Sequence, residues 1–93
     1  MRGSMPASVK SLIETRLQAL YPDAVLQVND QSAKHQYHLE GSTGSDTHFD
    51  VLIRSNTAMA LTRVERERRV HTALADLYTE RGLHALSLKF EAA

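Results

Sequence analysis

Two apolar, strand-like stretches, residues 49–54 and 83–91, stand nearly thirty residues apart with a helical pattern between them, and this spacing restricts the topology more than any other feature. A hairpin joins antiparallel strands through a few residues. Parallel strands need a connection of a dozen or more, usually a helix that crosses over the sheet in a right-handed sense. The two strands are therefore expected to lie parallel and to begin at the same edge. A chain of 93 residues has room for one modest core around them, because a domain of this size buries only about two-thirds of the surface its unfolded form exposes.

The remaining pattern fits around that crossover. From residue 8 to 21, Val9, Leu12, Ile13, Leu17, Leu20 and Tyr21 repeat at the three-and-four spacing of one helical face, and Pro22 ends the helix. Residues 24–28 read as a strand with Ala24, Leu26 and Val28 on one side, bounded by the turn-prone pair Asn29 and Asp30. Polar residues fill the stretch from there to Thr47, a long loop for so small a domain and of a length that is usually functional or disordered. In the second strand Phe49, Val51 and Ile53 face one way and Asp50 and Arg54 the other, with Ser55 and Asn56 breaking it. Thr62 and Glu65 have capping-box spacing at the head of a second helix. Val70, Ala73, Leu74, Leu77 and Tyr78 form its buried stripe, and Gly82 is placed to terminate it. The last strand turns Leu86, Leu88 and Phe90 to one face, Ser87 and Lys89 to the other. The expected fold class is α+β in the order α-β-β-α-β, with a three-stranded mixed sheet and the helices packed on one face. Residues 1–4 ahead of Met5 resemble a vector-derived leader, so a single domain is expected over residues 5–93.

This topology decides where the histidines fall. The first two strands pair most simply as antiparallel neighbours, so the first ends where the second begins. The long loop, His48 and His84 then share one rim. His35 and His38 come from the loop, while His48 and His84 open the second and third strands, so four imidazoles are expected to converge in a chain with no cysteine. Neutral imidazole is a good ligand for iron or zinc. Iron-sulfur and structural zinc sites, however, lean on Cys sulfur, so a metal at this rim needs a partner to complete its coordination. The plainer alternative is that small domains carry scattered surface histidines and that His84, sharing the parity of Leu86, caps the core. His71 borders the apolar stripe of the second helix and reads as structural.

Charge and motifs narrow the other function classes. Lys plus Arg number 11 and Asp plus Glu 11, so no overall field draws the chain to phosphate or membrane. No apolar run approaches the roughly 20 residues that span a bilayer, and neither a secretory signal nor a need for an oxidising compartment is evident. The expected location is a reducing cytoplasm or organelle matrix. Arg63, Arg66, Arg68 and Arg69 crowd the start of the second helix, where they are candidates for contact with nucleic-acid phosphate or an acidic partner. Arg63 with Glu67 and Glu65 with Arg69 stand four apart, the spacing of a solvated face laced with weak ion pairs. Residues 41–44 match the G-x-x-G pattern of KH domains, but they lie between strands rather than between helices. Of the five aromatics only Tyr37 reads as exposed, so no base-stacking platform is offered. Asp46 is close enough in sequence to orient His48, yet there is no Gly-x-Ser-x-Gly elbow, no His-Glu-x-x-His and no phosphate loop. The reading is non-enzymatic.

Four segments taken together, residues 30–35, 44–51, 66–74 and the closing run His84-Ala85-Leu86-Ser87-Leu88-Lys89, resemble the motifs of the BolA-like family in the family's own order. The similarity covers nearly all of the chain after Met5, and the last segment is its most specific part. The resemblance implies an α-β-β-α-β fold akin to type II KH domains, a monothiol glutaredoxin as partner, and a part in handling 2Fe-2S clusters. It also implies, for some members, DNA binding in transcriptional regulation, and it is compatible with a homodimer of the free chain. The family's C-terminal histidine falls on His84 and its variable loop ligand on His35, with glutathione and thiolates supplied on the glutaredoxin side. Mixed imidazole and thiolate ligation of this kind is chemically sound. A loop longer than the family's usual one makes His38 a rival to His35, and His48 is a further rival from the rim. The family's Arg-His-Arg segment is Arg66-Glu67-Arg68 here, which places a carboxylate where DNA phosphate would be met.

Overall fold

A computed structural model describes residues 8–31 and 48–93. The order of elements is α1 (Val9–Leu20), β1 (Val25–Asp30), β2 (His48–Arg54), α2 (Asn56–Met59), α3 (Arg63–Ala73), α4 (Ala75–Glu80) and β3 (Ala85–Glu91). The sheet order is β1-β2-β3, with β1 antiparallel and β3 parallel to the central strand. The expected mixed sheet is therefore present, and the spacing between β2 and β3 does correspond to a crossover.

Periodicity becomes packing along each element. Val9, Ile13 and Leu17 of α1, followed by Tyr21, are buried against Val28 of β1, Phe49, Val51 and Ile53 of β2, and Val70, Leu74 and Leu77 of α3 and α4. Cross-strand register places Phe49 beside Leu86, Val51 beside Leu88 and Ile53 beside Phe90. All of these lie on the face that the helices cover. Gln27, Asn29, Asp50, Ser87 and Lys89 are exposed on the other face. Tyr21 would bury a hydroxyl, and it donates that hydroxyl to the Arg66 carbonyl at 3.1 Å, which removes the cost of an unsatisfied polar group.

Three local features differ from expectation. First, Asn29 and Asp30 do not turn the chain. They continue β1, aligned with Asp50 and Phe49 of the central strand, because ladder hydrogen bonds outweigh a local turn preference. Second, an additional short helix, α2, follows β2. Its N-cap Ser55 is fully buried, accepts from the Ala58 amide at 3.0 Å and donates to Asp23 at 2.8 Å. Asp23 also accepts from the Thr57 amide at 3.2 Å, so a residue just beyond α1 fixes the exit from the sheet. Third, the second long helix is divided at Leu74, whose φ of −108° and ψ of 7° leave the helical region. Arg16 of α1 donates to the Ala73 carbonyl at 3.1 Å and forms a two-pronged pair with Asp76 in the first turn of α4, holding the break from outside. Neither Gly nor Pro marks this position, so the local sequence does not announce it.

The Ser55 hydroxyl, and after it the Thr57 amide, hold the Asp23 carboxyl below its ordinary value of 3.8. Arg16 does the same for Asp76, and Arg54 for Glu91. A carboxyl depressed in the folded state contributes stability that is present above its unfolded pKa and is lost as pH falls through the folded one. The melting temperature is thus expected to fall on acidification below about pH 4. Asp23→Asn is expected to start lower at neutral pH and to show a shallower acid dependence; parallel pH profiles for the two proteins would contradict this.

Candidate functional site: an imidazole pair on the rim of the sheet

The edge at which β2 and β3 begin is built by three constraints. Gly82, with a φ of 78°, turns the chain after α4 at little conformational cost. Leu83 is buried and its amide donates back to the Leu77 carbonyl at 3.1 Å, so the backbone is anchored immediately before residue 84. His84 then projects as an exposed side chain, one residue ahead of β3. Across the ladder His48 opens β2 opposite Ala85. The carbonyl of His48 accepts from the Gln31 amide at 2.8 Å, so the last described residue of the first strand region and the first of the second are clamped together.

These constraints bring two of the sequence-selected histidines into contact. The His48 and His84 ring centroids are 5.8 Å apart with the planes inclined at 59°. His48 is half-buried, with its Nδ1 atom enclosed, whereas His84 is exposed rather than capping the core. His48 opens β2, whereas His84 stands one residue ahead of β3 rather than within a strand beginning at residue 83; the crossover brings both to the same end of the parallel pair. His35 and His38, together with Asp46, Tyr37 and residues 41–44, lie outside the described residues. Among the described residues no group of three or more metal-binding side chains occurs, so the pair by itself does not fill a metal's coordination sphere. Two shallow grooves, of about 240 and 290 Å³, have linings that include neither histidine.

The arginines of α3 are largely engaged. Arg68 and Arg69 both pair with Glu65 at 3.0 Å, and Arg63 pairs with Glu67 at 3.5 Å. Exposed pairs of this kind contribute little to stability, but they offset positive charge on that face. Glu65 thereby uses its carboxylate on arginines, while Thr62 caps the Glu65 amide at 3.1 Å. Arg66 has a role the sequence did not reveal: its guanidinium donates to the Ala58 carbonyl at 3.3 Å and the Leu61 carbonyl at 2.9 Å and lies 5.6 Å from the centre of the Phe90 ring. It ties α2 and the chain after it to α3 and β3. Arg66→Ala is expected to lower stability by about 1–2 kcal/mol through those lost charge-assisted bonds, read as an earlier urea midpoint; an unchanged midpoint would show that they contribute nothing net. His71 is exposed on the last turn of α3, 6.4 Å from the Tyr78 ring.

No described helix is long and apolar enough to cross a membrane. Comparison with known proteins gives a consistent result. The family model described as BolA-like protein matches residues 17–93. The human protein named BolA-like protein 1 is 34% identical over 83 residues, covering 87% of this chain and 56% of the human one. Its namesake in Pongo abelii is 35% identical over 87 residues, covering 94% of this chain and 57% of that protein. The chain therefore spans little more than half the length of these relatives. Among solved structures, the BolA domain of SufE1 from Arabidopsis thaliana matches with a TM-score of 0.74 at 27% identity, covering 95% of each chain. BolA1 from the same plant also gives 0.74, at 28% identity and 96% and 95% coverage. Mouse BolA1 gives 0.70 at 27% identity, over 99% of this chain and 74% of that one.

Proposed function

Because the chain belongs to the BolA-like protein family, we propose that it is a non-enzymatic adaptor that binds a monothiol glutaredoxin and shares, or helps to pass on, the 2Fe-2S cluster that this partner carries. The observation that carries the reading is an exposed imidazole, His84, held at the strand border beside a second imidazole in a chain without a single thiol. Here the cluster is cargo. The residues present suit one half of it: nitrogen ligands can take an iron whose other ligands are sulfide, while thiolates from the partner and its glutathione take the second iron. His84 is the fixed ligand in this proposal, and His35 is the second.

Binding of nucleic acid through Arg63, Arg66, Arg68 and Arg69 is the rival. It is disfavoured by zero formal net charge and by carboxylate or carbonyl partners for each of those guanidinium groups. A salt titration discriminates between the two, because phosphate-driven affinity falls steeply with salt. The direct test of the adaptor is co-purification with a cluster-loaded monothiol glutaredoxin, assayed for iron and acid-labile sulfide. Stoichiometric amounts of both in the heteromeric complex are expected. A stable complex lacking them would make the chain a scaffold, and the absence of a complex would remove the proposal.

A further inference from the structure

We infer that His48 is a positioning residue that sets the orientation of the His84 imidazole, so that His84 is already aimed when a metal arrives from the partner. The inference rests on the reading of His84 as the iron-binding group. Its basis is the unequal way in which the two rings are held.

His84 belongs to the link between Gly82 and β3. Its backbone is fixed by the positive-φ turn and by buried Leu83, but the side chain itself is exposed. Exposed side chains exchange rotamers on the picosecond to nanosecond scale. Left to itself, this ring would have to be ordered at the moment of binding, and that ordering costs affinity.

His48 is constrained from both sides. Its carbonyl is bonded to Gln31, its Cα is in register with Ala85 of the parallel neighbour, and its ring is half-buried with Nδ1 enclosed. It therefore forms a rigid wall. The 5.8 Å centroid separation and 59° inclination lie within the range that aromatic rings adopt in favourable tilted contacts. A wall of this kind restricts the directions open to the His84 ring without using any of the positions around the metal. Neighbours that orient a metal-binding histidine commonly change metal affinity by about 10- to 100-fold when removed.

The test uses the full chain and three variants, His48→Phe, His48→Ala and His48→Gln, each first checked for an unchanged amide spectrum. His48→Phe keeps a ring at the wall and cannot bind metal; the other two remove the ring, and His48→Gln is read in place of His48→Ala should the latter fail to fold. In the free protein, side-chain couplings and ring-proton shifts of His84 are expected to report one dominant rotamer in wild type and in His48→Phe, and averaging in the ring-less variants. With cluster-loaded glutaredoxin, His48→Phe is expected to bind close to wild type, while loss of the ring weakens binding by about 10-fold. Unchanged His84 couplings in the ring-less variants would overturn the inference. So would His48→Phe failing as completely as His84→Ala, since His48 would then be a ligand itself. If wild type does not change the cluster's spectrum at all, the adaptor reading fails, and the rotamer measurement in the free protein still decides the role of His48.

Discussion

Phe49→Ala is expected to destabilise the fold by about 3–5 kcal/mol, the range for truncating a fully buried aromatic residue. Phe49 is 1% exposed, sits on the central strand and aligns with Asp30 on one side and Leu86 on the other. Its ring therefore touches the layer in which both ladders and the helices meet, where little can relax to fill the space. A domain of this size has in total only about 5–15 kcal/mol to lose, so this one truncation is expected to remove a large share of its stability. Urea denaturation followed by far-UV circular dichroism measures the effect. A loss below about 1 kcal/mol would mean that the side chain is not in the core. Because Phe49 directly follows His48, the variant should also loosen the imidazole border even in the fraction that remains folded.

His84→Ala is expected to do the opposite, leaving the fold intact and removing the function. The side chain is exposed, so its truncation should change stability by no more than about 0.5 kcal/mol. The visible circular dichroism of a glutaredoxin-bound cluster is expected to change on addition of wild-type protein and to stay as it was on addition of the variant. A variant that still produces the wild-type spectrum would show that His84 is not the ligand. Taken together, the two substitutions separate a residue that makes the border from one that uses it.

The sequence was informative wherever period and burial coincide. The stripe Val9, Ile13, Leu17 and Tyr21, the alternation of Phe49, Val51 and Ile53, and the pair Val70 and Leu74 are all buried as their spacing implies, because a two- or three-and-a-half-residue period has only one way to face a core. The parallel pairing of β2 with β3, and with it the meeting of His48 and His84, followed from the length of the connection and the helical pattern within it. Long-range polar contacts were not legible. Nothing local to Arg66 signals that its guanidinium will reach Ala58 and Leu61, and nothing near Leu74 signals that Arg16, far earlier in the chain, will hold the helix break. Asn29 and Asp30 have the composition of a turn and the position of a ladder, and position prevails. Of the candidate imidazoles, those that open strands could be placed from topology. His35 and His38 fall in a polar stretch of sequence without periodicity, outside the described residues, so no pattern in the residues orders one ahead of the other.

The most direct examination of the central claim is pulsed paramagnetic resonance of the reduced cluster in the complex of this chain with a monothiol glutaredoxin, with only this chain labelled with nitrogen-15 at histidine. Strong nitrogen couplings that shift on labelling and diminish in His84→Ala are predicted, since an imidazole from this border would be bonded to iron. A cluster spectrum with no nitrogen coupling from this chain would contradict the claim.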